Sequence, residues 1–357
     1  MTVYVVDLEG IPSRYTCEWK TTLPALIKNQ GHEVEIISGP DDLPNNTTPG
    51  MFLNFSATNI YKAVQVEKFS RLFLNNKIKD GDHFLFTDAW HPGIINLKYM
   101  ADLLGIKIII HACWHSGSYD PQDGLGRLIG NAPWVRHAEK SFYEAVDHNY
   151  FATEFHINMF FTNMFNRLVI KGASIGNKVI RTGWPMEYMV DTLAPYKNLK
   201  KRDLILFPHR IAPEKQVEIF RDLATAMPQY EWIVCQDTTL SKHEYHTLLG
   251  EAKMVFSANL QETLGISTCS EGPLLDTIPM VPDRLSYSEI FDNHRDFLYP
   301  SKWTKSFDNY LIYKNNIIDK ISTMMDKHDH LLVKNRDFIN TTYKKYFHAE
   351  ELLKNIK

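Results

Sequence analysis

Short apolar runs alternate with longer amphipathic ones along most of the chain, and that alternation admits few folds. Runs such as "VYVVDL" at 3–8 and "HEVEIIS" at 32–38 read as buried strands, and the pattern resumes at 83–87, 107–112, 148–153 and 178–183. Helical periodicity fills several of the gaps, at 17–30 and 93–104. A second series begins near residue 203. Strands are expected at 203–207, 231–236, 253–258 and 278–283, and helices at 213–227, 241–252 and 265–275. Strands alternating with helices predict an α/β chain with parallel sheets covered on both faces. Two such series in 357 residues predict two domains. The polar, basic tract "APYKNLKKRD" at 194–203 reads as the linker. The expected boundaries are 1–193 for the first domain and 203–334 for the second, with a helix near 335–357 packing back on the first. Such sheets take ligands beyond the carboxyl ends of their strands, so a ligand is expected in a cleft between the domains.

Composition removes several classes. The formal charge is −3, so the molecule is not a polycation and nucleic-acid binding is not demanded. Cys17, Cys113, Cys235 and Cys269 are scattered with no Cys-x-x-Cys pair, which points to a reduced, cytoplasmic protein. Met1 leads directly into an apolar run without a basic segment, so no secretory signal is expected. No apolar run reaches the roughly 18 residues that span a bilayer, so no membrane partner is expected. No Gly-x-Gly-x-x-Gly follows the first strand, which disfavours a dehydrogenase.

The stretch "FPHRIAPEKQ" at 207–216 places Arg210 and Lys215 in the turn between a strand and a helix. A forked guanidinium and a compact ammonium together suit a diphosphate. Two solvated loop cations are the plainer alternative. Further on, "NLQETLGISTCSEGPLL" at 259–275 puts Glu262 in a strand-end loop and a helix start near Gly265. The N–H groups of Gly265, Ile266, Ser267 and Thr268 would form an anion site there. Glu271, further along, is placed to take the two hydroxyls of a ribose.

These residues carry a family resemblance. Arg210-Ile-Ala-Pro-Glu-Lys215 resembles the Arg-x-x-Pro-Glu-Lys turn of retaining GT-B glycosyltransferases of the family 4 type. "ETLGISTCSE" resembles their Glu-x-Phe-Gly…Glu segment, and "PMVPDRLSYSEIF" looks like the tail of that motif in the branch with the queuosine-tRNA mannosyltransferases. The resemblance implies a GT-B fold of two Rossmann-like domains and transfer of a sugar from a nucleotide-diphosphate donor, UDP-sugar foremost, with retention. It implies that Arg210 and Lys215 hold the diphosphate. Glu262 and the Gly265 helix would hold the sugar and β-phosphate, and Glu271 the ribose. Leu264 replaces the usual aromatic, and the two acids lie nine apart where the family has eight. GT-A transferases hold a divalent ion with an Asp-x-Asp pair. The resemblance implies no metal here, and no cofactor beyond the nucleotide-sugar co-substrate.

The resemblance implies a histidine after a strand of the first domain. His111 sits directly after the apolar run Ile108–Ile110 and His115 four residues later, and both stay candidates. His111, Cys113 and His115 alternate without a fourth ligand, so they do not make a zinc set. Gly10 and Arg14, in the loop after the first strand, are candidates for the donor phosphates. Asp88 and His91 follow another strand and are acceptor-side candidates. Several tracts, "FTDAWHPGI" among them, look like glycosyltransferases of tailed bacteriophages. That likeness implies a hydroxylated or hydroxymethylated pyrimidine in double-stranded DNA as acceptor, glucose or arabinose as the sugar, and a host-cytoplasmic setting. Lys197, Lys200, Lys201 and Arg202 form one candidate basic cluster. Lys344 and Lys345 with Tyr343 and Tyr346 form another. A tRNA, small-molecule or glycan acceptor stays open, as does a non-catalytic sugar-nucleotide binder.

Overall fold

A computed structural model describes residues 1–12, 14–44, 46–48, 51–167, 176 and 178–357. The chain divides into two units, one of Met1–Pro185 with Ala349–Lys357, the other of Met186–His348. The first sheet contains β1 (Thr2–Val6), β2 (Glu33–Ile37), β3 (His83–Phe86), β4 (Ile109–Trp114), β5 (His148–Phe151) and β6 (Val179–Arg181). Its order is β2-β1-β3-β4-β5-β6, and every pairing is parallel. The second contains β7 (Arg202–Phe207), β8 (Glu231–Val234), β9 (Ala252–Phe256), β10 (Ile278–Pro282) and β11 (Leu298–Tyr299), ordered β11-β10-β9-β7-β8 and also parallel.

Both sheets follow from their sequences. Val3 to Val6 and Phe84 to Phe86 are buried on both faces, as continuous apolar strands of a parallel sheet must be. Helices Phe55–Leu74, Gly93–Leu104, Pro133–Ala145 and Glu154–Phe165 supply Phe69, Leu97, Phe142 and Phe160 to one core with Phe86 and Trp114. Asn54 and Thr153 cap two of these helices with their side chains.

The tract 194–203 is not a linker between units. It lies inside the second unit, and Lys201 shows why. Its Nζ donates to the Ala252 and Leu275 carbonyls and to Thr277 Oγ1 at 2.7–2.8 Å. Residues 335–348 also belong to the second unit, and only 349–357 join the first. The expected C-terminal helix is broken into Phe338–Tyr343, Lys344–Tyr346 and Glu350–Leu353.

Candidate functional site

In the second sheet the strand order reverses between β7 and β9, so the loops leaving their carboxyl ends diverge. Open α/β sheets bind ligands at such a point. The loop after β7 carries Arg210 into a 3₁₀ turn, Pro213–Lys215. The single helix expected over 213–227 is interrupted at Gln216, which adopts φ 52°. A left-handed glutamine is strained. Its side chain compensates by donating to the Ala258 carbonyl at 2.5 Å and the Thr304 carbonyl at 2.8 Å. The same kink turns Lys215 inward.

Lys215 is buried, not solvated. Its Nζ donates to the Gln261 carbonyl at 2.6 Å and lies 3.4 Å from Glu262 Oε2. Arg210 Nη2 donates to Glu214 Oε1 at 2.6 Å, and Leu260 N donates to the Glu214 carbonyl at 2.7 Å. The loops after β7 and β9 are thereby tied together. Burial alone would raise the Glu262 carboxyl, but Lys215 and the backbone N–H of Leu264 outweigh it and hold it below the usual range. Glu214 is held down in the same way, burial being outweighed by Arg210. Two cations and two carboxylates cancel, so any hold on an anion here comes from directed donors.

Gly265 does not offer its N–H outward. It donates to Glu262 Oε1 at 2.9 Å, which corrects its expected place among the anion-binding groups. The first-turn N–H groups of Ile266, Ser267 and Thr268 have no intrahelical acceptor. Gly265 adopts φ 79°, and a Cβ there would lie 2.9 Å from both Thr268 Oγ1 and Tyr287 Cε1. Ser267–Glu271 is a π-turn, closed by Gly272 N on the Ser267 carbonyl, and not the α-helix expected. Glu271 accepts from Tyr245 OH at 2.8 Å, and burial raises its pKa.

Sequence reasoning missed Arg284. Its guanidinium donates to the carbonyls of Ala258, Asn259, Ser301 and Thr304 at 2.7–3.1 Å. It fixes the start of the loop that carries Glu262.

The first unit gathers a separate group at the carboxyl ends of β1, β3 and β4. Lys62 Nζ pairs with Asp88 Oδ2 at 3.0 Å. Burial would raise Asp88, yet Lys62 outweighs it and leaves it ionised. Glu9, also missed, has both carboxylate oxygens shielded without a hydrogen bond of normal geometry, beside the Thr58 hydroxyl. Burial raises its pKa.

His91 is not positioned to meet an acceptor. It is buried, accepts from Gly93 N at 2.9 Å and bonds Gln65 Oε1 at 3.0 Å, so it caps the helix Gly93–Leu104. His111 does not follow the strand either. β4 runs on to Trp114, and His111 is fully buried within it, bonded to Tyr150 OH at 2.6 Å and to His83 Nδ1 at 3.0 Å. His115 takes the strand-end position. Its Nε2 donates to the Thr87 carbonyl at 2.6 Å, so its Nδ1 accepts from Tyr15 OH at 2.5 Å. Tyr15, Trp19 and Trp184 pack around its ring. Arg14 Nη2 reaches the Met51 carbonyl at 3.4 Å, and a Cβ on Gly10 would meet only ordinary contacts at 3.5 Å. Residue 13 of that loop lies outside the described residues.

The chain contains one Asp-x-Asp, Asp80-Gly81-Asp82, at the amino end of β3. Its carboxylates bind backbone. Asp82 accepts from Thr2 N and Lys79 N, and Asp80 from Lys107 N, each at 2.8 Å. Among the described residues no group of three or more His, Cys, Asp or Glu is arranged to hold a metal ion. No described helix is long and apolar enough to cross a membrane. Of the two candidate nucleic-acid clusters Lys197, Lys200, Arg202, Lys344 and Lys345 are exposed, and the other members are not. Lys201 is committed to internal carbonyls, and burial pulls its pKa down to about 8. Tyr343 and Tyr346 are buried, their hydroxyls bonded to the Met186 carbonyl and to Glu289.

No protein-family model matches the chain, and no curated protein sequence matches it. Solved structures do. The sucrose-phosphate synthase of Thermosynechococcus elongatus superposes with a TM-score of 0.62 at 11% identity, over 99% of this chain and 97% of that one. HepE of Anabaena in complex with UDP gives 0.56 at 10% identity, over 98% and 97%. An α-glucosyltransferase in complex with UDP and a 13-mer DNA gives 0.55 at 10% identity, over 100% and 99%. At such identities the likeness is one of fold: two units, each with a parallel α/β sheet, matching the GT-B fold of these glycosyltransferases.

Proposed function

We propose that this chain transfers a sugar from a nucleotide-diphosphate donor, of the UDP-sugar type, to an acceptor hydroxyl with retention at the anomeric carbon. The observation that carries the reading is the meeting of Arg210, Lys215 and Glu262 where the order of the second sheet reverses. Solved GT-B proteins with UDP bound support the donor class. In the proposed reaction the bond from the anomeric carbon to the diphosphate oxygen breaks, and a bond from that carbon to the acceptor oxygen forms on the same face. The acceptor proton passes to the departing phosphate. Arg210 and Lys215 stabilise the charge that grows there, with the first-turn N–H groups of Ile266, Ser267 and Thr268. Glu262 holds Lys215 and orients toward the sugar, and Glu271 takes the ribose. In the first unit Asp88 is the proposed acceptor-side residue, and His115 the proposed histidine for the donor sugar.

Arg210→Ala with Lys215→Ala should lower turnover of UDP-glucose by roughly 10³-fold or more, since removing one such donor costs about 10²–10³. Release of UDP, followed by mass spectrometry, reads this out. Full activity in the double variant sinks the assignment. The acceptor we carry forward is a hydroxylated pyrimidine base in DNA, supported by the shared fold with the DNA-bound α-glucosyltransferase. Binding to such DNA should weaken steeply between 50 and 200 mM salt, by about 10³-fold for six phosphate contacts. A flat salt response turns the reading toward a glycan or small-molecule acceptor.

A further inference from the structure

His209, next to Arg210, has one nitrogen that nothing among the described residues satisfies. The ring is more than nine-tenths buried and packs edge-on against Phe207 at 5.1 Å. A backbone contact at Phe256 favours a ring proton, and since Nε2 has no partner among the described residues that proton belongs on Nδ1, which leaves Nε2 as a bare acceptor. Nε2 is shielded from solvent. Asn259 repeats the pattern in the same cluster. Its Nδ2 donates to Glu262 Oε2 at 3.2 Å and Tyr287 OH at 3.1 Å, which sets the amide's orientation, and its Oδ1 is shielded and unpartnered. Each such atom costs on the order of a hydrogen bond until a donor reaches it.

The chemistry of the missing group follows from these atoms. A phosphate brings acceptors and suits Arg210 and Lys215, but it has nothing to give a bare imidazole nitrogen or an amide oxygen. A hydroxyl has. We propose that His209 Nε2 is a specificity-determining acceptor for a hydroxyl of the nucleotide-sugar donor, with Asn259 Oδ1 as its companion, a role that rests on the donor reading above. Burial keeps the ring neutral, its pKa pushed down to about 3, so the lone pair stays available across the working pH range. The hydroxyl comes from the sugar or from the ribose.

His209→Asn separates the two nitrogens, because an asparagine amide can still donate to the Phe256 carbonyl while the Nε2 acceptor is gone. Calorimetric titration of the full chain with UDP-glucose and with UDP tests it. UDP-glucose bound about ten-fold more weakly with UDP unchanged would identify a sugar hydroxyl. An equal weakening of both would identify a ribose hydroxyl, and also supports the proposal. Unchanged affinity for both overturns it, Nε2 then being satisfied by water. If the variant does not fold, the imidazole nitrogen resonances of the wild-type chain decide. The Nε2 signal should move on saturation with UDP-glucose, and a stationary signal overturns the proposal. Wild-type chain that binds neither nucleotide sinks the donor reading itself, and this inference with it.

Discussion

Arg284 shows how a single charged side chain can set a site without touching a ligand. Arg284 is a half-buried cation whose hydrogen-bond partners are carbonyls and a hydroxyl, no carboxylate among them. Bonds to a charged donor are worth about 1.5–3 kcal/mol each where a buried acceptor would otherwise go unmet. Gln216 keeps a second donor on the Ala258 and Thr304 carbonyls, so the loss on removing Arg284 is partial. Arg284→Ala should cost about 3 kcal/mol by urea unfolding, and should weaken UDP binding through displacement of the Asn259–Glu262 loop. Arg284→Lys should recover little, since one ammonium cannot span four acceptors. A variant with wild-type stability would show that Gln216 alone holds the loop. Arg210 and Lys215 were legible in the sequence because a strand-end turn gave them a common location. Arg284 was not, because its partners come from two distant segments, 258–259 and 301–304, and no local spacing announces them. His115 replaced His111 for a similar reason: β4 outlasts its aliphatic run by two residues, through Cys113 and Trp114.

At the scale of elements, the segment from Gly265 to Leu275 departs most from its expected form. Its helical periodicity is genuine, but one turn carries an extra residue. A π-turn bonds i to i+5, so it absorbs a one-residue insertion without shifting the helix that follows. If Glu271 is the ribose acid proposed above, the nine-residue spacing of Glu262 and Glu271 is what such an insertion would leave behind. Deleting Ser270 should therefore close the turn to α geometry and keep the acid at its place on the helix, eight residues from Glu262. UDP affinity in the deletion should stay within about three-fold, under 1 kcal/mol, whereas Glu271→Gln should lose more. A deletion as damaging as Glu271→Gln would mean that the π-turn does not set the register. Periodicity exposed the alternation of strands and helices because burial on both sheet faces forces it. It could not expose the π-turn, where a hydrogen-bond register changes while the pattern of apolar residues does not.

At the scale of the whole molecule, the chain carries an unusual load of buried neutral histidine. In the first unit burial holds His91 and His156 down to about 3, and His111 well below its ordinary value. His83, His111 and His148 stack across β3, β4 and β5 with centroids 5.0 and 4.9 Å apart. His209 in the second unit is also held to about 3. An unfolded histidine titrates near 6.5. Between that value and the depressed folded value, the unfolded chain binds more protons, so stability falls as pH falls. The contribution is fully present above pH 6.5 and drains through the window down to about 3. Each fully buried imidazole can contribute up to about 1.4 kcal/mol per pH unit there. Asp7, Glu9, Glu139 and Glu271 act in the opposite sense, because burial raises their folded pKa values and protonation relieves it. Their offset begins at their raised folded values and ends near 4, where unfolded carboxyls titrate, while the histidine loss already runs from 6.5. The melting temperature should therefore fall by several degrees between pH 7 and pH 5, read by intrinsic tryptophan fluorescence, with Trp19, Trp114 and Trp184 buried in the first unit as reporters. His156→Phe, which removes one titrating ring whose Nε2 meets Tyr119 OH at 2.7 Å, should lower the melt at pH 7 and flatten its descent. A melting temperature that holds or rises on going to pH 5 would mean that the raised carboxyls, not the buried imidazoles, govern acid stability.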